Sequence, residues 1–239
     1  MNRLGVFVGS TPLPLEGLEP CAERTTPWGA AAAQPMKKTV QVGEHSHELI
    51  FLQRHGVDHE FAPHQINYRA NVWLMHALGL DGIVATYTVG SVAPELEVGD
   101  LVVPEQIIDY TWGRESTYDD QLRHIDFTDP YDRLLSERLL AYDDSLVRGG
   151  VYGATQGPRL ESAAEIVRMA RDGCTLVGMT GMPEASLCRE LELPMTAMCL
   201  VVNPAAGVAE NAINLEAMAE VAAQGAQRMT SLLLDFVAA

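Results

Sequence analysis

The chain of 239 residues carries 32 acidic against 16 basic side chains, a formal charge of −16. That balance argues against a nucleic acid partner, and any anionic ligand must find positive potential locally. The length suits a single α/β domain over residues 1–239 with a sizeable core. Cys21, Cys174, Cys188 and Cys199 form no Cys-x-x-Cys pair and read as reduced thiols of a cytoplasmic protein. The N-terminal apolar run is too short for a signal peptide, and no stretch has the length of a membrane span.

Residues 4–8 read as a buried strand opening into Gly9-Ser10-Thr11, whose N–H groups and hydroxyls suit an anion and equally make an ordinary turn. Residues 12–35, rich in Pro, Gly and Ala, are expected to be irregular. Strands follow at 39–43 and 47–53, the second delivering Arg54, His55 and Gly56, either an anion grip or a solvated turn. His59 and His64 come next, but their spacing fits no compact zinc motif and no Cys or acidic cluster joins them, so no metal site is assigned. Spacing predicts a helix over 67–78, stopped by Gly79, and a strand over 83–88 that ends in Tyr87-Thr88-Val89-Gly90-Ser91. Short strands at 101–103 and 106–108 lead into the polar stretch 109–129, too long for a connector, which suggests a binding loop or a subunit contact.

Residues 131–142 have helical spacing, and 149–154 form a strand running into Thr155-Gln156-Gly157-Pro158-Arg159-Leu160. Ser162 with Glu165 makes a capping box for the next helix. The apolar runs at 176–178 and 195–202, with helix-like residues 183–191 between them, read as a strand–helix–strand unit. In a parallel sheet, ligands gather at the carboxyl ends of strands, so Met179 and Thr180 should share a pocket with the segment that begins at Asn203. A hydroxyl and an amide suit a polar ligand better than a transition metal; a capping Thr and a turn Asn are the plainer alternative. Ile213 and Leu215 begin a terminal amphipathic helix with Met218, Val221, Ala222, Met229, Leu232, Leu233 and Phe236 on its apolar face.

Taken together, several motifs carry a resemblance: Thr26-Pro27-Trp28-Gly29, Arg54-His55-Gly56 with His59, Asn67-Tyr68-Arg69-Ala70-Asn71, Gly99-Asp100-Leu101-Val102, Asp109-Tyr110-Thr111, Gln156-Gly157-Pro158-Arg159, Gly178-Met179-Thr180-Gly181-Met182-Pro183-Glu184, and Asn203. In this order they resemble the trimeric purine nucleoside phosphorylases, in the branch of the methylthioadenosine and S-methyl-5'-thioinosine phosphorylases. The resemblance implies a single-domain α/β fold, a mixed central β-sheet flanked by helices, assembled as a homotrimer. It implies a pentosyltransferase in purine salvage, in which phosphate attacks the anomeric carbon of a purine nucleoside, with no metal or organic cofactor. Phosphate would be held by Ser10, Arg54, His55, Tyr87, Thr88 and Thr180. Met179 would lie under the ribose, and Asn203 would face the base, near Gln156, Leu160 and Ala205. Leu215 and Met218 would line the 5' end; Asn203, His55 and Thr180 would be the catalytic groups.

Adenine-specific relatives carry Asp where this chain has Asn203, so the base expected here is a 6-oxopurine. Apolar residues at the 5' end favour a thioether, which selects S-methyl-5'-thioinosine. Alternatives are a general inosine or guanosine phosphorylase, a methylthioadenosine phosphorylase, and a nucleoside-binding protein impaired in turnover because Tyr87 obstructs phosphate. Four further departures are Ser10 in place of a Thr in a glycine-rich loop, Gln156 in place of a Glu, Ala205 in place of an acidic residue, and Pro204 stiffening the Asn203 segment.

Overall fold

A computed structural model describes residues 1–114, 116–118, 121–209 and 213–239. At the centre of the sheet is β5 (Gly82–Ser91), a ten-residue strand buried at every position except Thr88. Such continuous burial requires cover on both faces. Along one edge β11 (Met195–Pro204) runs parallel to it, from Met195 opposite Ile83 to Pro204 opposite Ser91, with a bulge between Val201 and Asn203. The other edge is shared. β1 (Arg3–Val8) pairs in parallel as far as Phe7 opposite Ala85, and β10 (Leu176–Gly178) pairs antiparallel from Val177 opposite Gly90. Between them, residues 86–89 have no strand partner on that edge.

Outward from β1 lie β4 (His45–Gln53), β3 (Met36–Val42) and β2 (Glu19–Pro20); outward from β10 lie β9 (Val151–Ala154) and β7 (Gln106–Asp109). β6 (Leu101–Val103) joins β11 and carries β8 (Val147–Arg148) on its far side, completing a mixed eleven-stranded sheet. This is the α/β architecture expected, with two differences. The 83–88 strand continues to Ser91, so Val89, Gly90 and Ser91 lie within it as well as Tyr87 and Thr88. β10 and β11 are also not neighbours, because β5 runs between them.

Alternation along the strands divides the core. Phe7, Ile50, Leu52, Ile83 and Tyr87 pack on one face with α1 (Tyr68–Ala77) and α4 (Gly181–Glu190). Leu4, Val6, Leu49 and Val84 pack on the other with α2 (Arg133–Tyr142) and α5 (Leu215–Ala238). The predicted capping box opens α3 (Ala163–Asp172): Ser162 Oγ accepts from Glu165 N at 3.3 Å, and Ser162 N donates to Glu165 Oε2 at 2.7 Å. Asn67 caps α1 through Oδ1 while its Nδ2 donates to Trp28 O at 2.7 Å, which pins the irregular N-terminal segment. Among the described residues, no helix is long and apolar enough to cross a membrane.

α5 lies on β11 through Gly225, where an added Cβ would stand 2.2 Å from Leu200 Cδ2. Helix propensity alone would make Gly225→Ala stabilising by about 1 kcal/mol. Leu200 is buried and cannot give way cheaply, and overpacking of this kind costs about 1–3 kcal/mol. Gly225→Ala is therefore expected to be less stable than the wild type in a denaturant titration; a gain in stability would contradict the packing described.

Candidate active site

The break in the ladder beside β5 is where the chain's polar loop residues converge. β1 ends there in Gly9 and Ser10, β4 in Arg54 and His55, and β10 in Met179 and Thr180. From the opposite edge β11 contributes Asn203. With Tyr87, Thr88, Leu160, Ala205 and Met218 these residues line one cavity of about 150 Å³. Gly9 is needed for this approach, since a Cβ there would lie 2.7 Å from Thr86 O. Gly9 N donates to Thr86 Oγ1 at 3.1 Å, which moors the first loop to β5.

Arg54 is fully buried, as is Glu184 on α4. The guanidinium donates from Nε to Glu184 Oε1 at 2.6 Å and from Nη2 to Oε2 at 2.9 Å, a bidentate pair. Nη1 donates to Thr86 O at 2.8 Å and Nη2 to Phe7 O at 3.3 Å. Burial alone would disfavour the arginine's charge, but the Glu184 carboxylate more than offsets it and raises its pKa. Four of the five guanidinium N–H groups are thus spent, and one on Nη1 remains.

Tyr87 does not close the cavity. Its ring is 1% exposed, lies 4.9 Å from the Arg54 guanidinium carbon and donates its hydroxyl to Glu184 Oε2 at 2.9 Å. Burial, with the Glu184 charge next, pushes the phenol's pKa well up, so it stays a protonated donor.

His55 is 3% exposed and its Nδ1 lies 2.8 Å from Phe61 O. Burial first, then the Arg54 charge, lowers its pKa from 6.5 to about 4. The ring is neutral at pH 7, so of the two residues after β4 one carries no charge and the other is paired with Glu184. Among the described residues, the side chains of Ser10 and Thr88 have no protein hydrogen-bond partner, while Thr180 lies against the Tyr152 hydroxyl, which accepts from its N at 3.3 Å and contacts its side chain. Thr180 stands at the N-terminus of α4 without capping it. Three hydroxyls and a helix N-terminus therefore line one side of the cavity, an arrangement able to bind an anion.

On the base side, Asn203 Nδ2 donates to Pro204 O at 2.6 Å, which leaves one N–H and Oδ1 for a ligand. Two expected residues lie outside the cavity lining. Gln156 Oε1 accepts from Trp112 N at 3.2 Å and faces a separate cleft with Asp109 and Arg168. Leu215 opens α5 and is 67% exposed. Sequence reading missed Glu184, although it had quoted the motif containing it, because nothing local marks a carboxylate as buried opposite an arginine 130 positions away. It also missed Val202, turned into the wall beside the bulge, and Ile213, noted only as a helix start. Of the polar stretch 109–129, residues 115, 119 and 120 lie outside the described residues. Its Ser116 and Thr117 dock on Glu190 of α4, and Arg114 donates to Met179 O at 3.3 Å and to Met182 O.

A mixed sheet flanked by helices, with hydroxyls, a paired arginine and an amide around one cleft, fits an enzyme acting on a small polar molecule. The chain belongs to the phosphorylase superfamily, whose sequence profile matches residues 3–238. It is 41% identical over 249 residues, 98% of each chain, to a probable S-methyl-5'-thioinosine phosphorylase of Pseudomonas syringae pv. tomato. It is 35% identical to a probable 6-oxopurine nucleoside phosphorylase of Thermococcus kodakarensis, covering 99% of this chain and 92% of the other. The methylthioadenosine phosphorylase of Schistosoma mansoni, solved with adenine, superposes with a TM-score of 0.85 at 27% identity, over 100% of this chain and 91% of that one.

Removing one partner of a buried ion pair strands the other charge, at a cost of about 3–5 kcal/mol. Glu184→Gln is expected to lose that much in urea unfolding, whereas Tyr87→Phe, which removes one hydrogen bond to a charged group, should lose about 1.5–3 kcal/mol. A Glu184→Gln protein as stable as wild type would refute the pairing.

Proposed function

We propose that the protein catalyses phosphorolysis of S-methyl-5'-thioinosine, giving hypoxanthine and 5-methylthioribose 1-phosphate. The observation that carries this is the meeting, in one cleft, of an anion place at Ser10, Thr88 and Thr180 with the amide of Asn203. A phosphate oxygen forms a bond to the anomeric carbon as the bond to the purine nitrogen breaks and its electrons pass to the base. Holding both reactants supplies the proximity, and the free N–H of Asn203 can donate to N7 as negative charge grows on the ring. An amide tolerates O6 beside N7, where an ionised carboxylate would repel it.

Met218 and Ile213 line the cavity and supply apolar surface for a 5'-thioether. Relatives bearing the methylthioinosine name support the same choice. Inosine or guanosine remains the second reading, supported by the 6-oxopurine relative. The reading of an impaired binding protein loses its motive, because the Tyr87 ring is committed to Glu184. We also infer a cytoplasmic homotrimer, by the resemblance already stated; light scattering at three times the 26.0 kDa chain mass supports it and a monomer mass overturns it.

The test is phosphate-dependent base release from S-methyl-5'-thioinosine, inosine and methylthioadenosine side by side, with and without EDTA. The first should give the highest kcat/KM, with EDTA without effect. Asn203→Asp should shift the ratio toward methylthioadenosine by about tenfold or more. Preference of the wild type for methylthioadenosine would overturn the role of Asn203.

A further inference from the structure

His55 lines the cavity beside Ser10 and Thr88. Its Nδ1 faces Phe61 O at 2.8 Å, and a carbonyl oxygen can only accept, so Nδ1 carries the ring proton. Nε2 has no protein partner among the described residues. In a ring protonated on Nδ1 alone, that nitrogen presents a bare lone pair. Several features hold the ring neutral: burial, the Arg54 guanidinium next to it, and His59, stacked on it at 4.4 Å between centroids. Among the groups placed around phosphate, hydroxyls can donate or accept and Arg54 can only donate. His55 is the one that can only accept.

We propose that His55 Nε2 accepts a hydrogen bond from a P–O–H of the bound phosphate, and that this bond makes the site select hydroxylated oxyanions over sulfate. The inference rests on the phosphorolysis reading. At neutral pH inorganic phosphate keeps at least one O–H, as does arsenate, while sulfate has none. A sulfate oxygen opposite Nε2 would set two acceptors against each other at a buried ring, where an unmade hydrogen bond is costly. Charge cannot make this distinction, since Glu184 already cancels Arg54. Hydrogen-bond polarity can.

The experiment measures hypoxanthine release from S-methyl-5'-thioinosine at pH 7 with phosphate, with arsenate in its place, and with sulfate added as a competitor. Arsenate should support release, and the inhibition constant of sulfate should exceed the KM for phosphate by about tenfold or more. His55→Gln can turn an amide N–H toward the anion and should narrow that gap, with a smaller change in the KM for the nucleoside. Sulfate binding as tightly as phosphate, or an undiminished gap in His55→Gln, overturns the proposal. Nitrogen-15 spectra of the wild-type histidine rings give a test that needs no variant. The His55 ring should be the neutral Nδ1–H form, with Nε2 shifting on addition of phosphate and not of sulfate; an imidazolium or an Nε2–H form overturns it. If phosphate drives no release at all, the phosphorolysis reading fails instead, and the spectra still decide the state of His55.

Discussion

The pairing of Arg54 with Glu184 is the constraint on which the site depends. Two fully buried ions each lose their hydration, and the loss is offset only when geometry is good and the remaining donors are satisfied. Here they are. Beyond the bidentate contact, the guanidinium reaches Phe7 O on β1 and Thr86 O on β5, and Tyr87 donates to the same carboxylate. One side chain thereby ties the ends of β1 and β4, the middle of β5 and the start of α4. Those are the elements that deliver Ser10, His55, Thr88 and Thr180. Any shift of α4 would strand a charge, so the spacing among these hydroxyls is held by electrostatics as well as by packing.

On the proposed reading, the same pairing bears on how a chain with a formal charge of −16 would hold phosphate. It would do so without a net cation at the cleft: His55 is neutral at pH 7 and Arg54 is balanced. Beside Glu161, whose carboxylate also lines the cleft, the polar groups offered are neutral dipoles, the hydroxyls and the N-terminus of α4. Such a site suits a nucleophile. A cationic clamp would draw charge from the attacking phosphate oxygen, whereas fixed dipoles orient the anion and leave its charge to meet the positive sugar that develops in the transition state.

Much of this was legible in the sequence, for identifiable reasons. Strands buried on both faces show as unbroken apolar runs, and the Ser162–Glu165 box and the Asn67 cap are local signals that survive any topology. Residues that line the cleft were legible because small polar residues follow such runs. What local pattern cannot carry is pairing. The 176–178 and 195–202 runs read as adjacent strands, yet β5 lies between them, because a three-residue strand can finish the edge that β1 leaves open. The fate of the Tyr87 ring was equally hidden, since it depends on Glu184, whose sequence neighbours give no sign of burial. Gln156 and Leu215 were placed by resemblance alone, and their own surroundings, the Trp112 amide and the exposed first turn of α5, take them elsewhere.

The placement of Asn203, the residue proposed to read the base, has its root in the backbone rather than in the identity of one side chain. Side chains on a strand alternate between faces, and the bulge between Val201 and Asn203 breaks that alternation where the cleft begins. It turns both Val202 and Asn203 to the cavity wall. The amide is then held by Pro204 O, 2.6 Å from Nδ2. Since that carbonyl only accepts, nitrogen and not oxygen must face it, which fixes the amide's orientation without appeal to the ligand. An ionised carboxylate in the same frame would bring two acceptors together and would have to keep a proton to make the contact. The local frame therefore favours an amide before any base arrives, and the proposed preference for a 6-oxopurine would follow from a constraint that the fold imposes on itself.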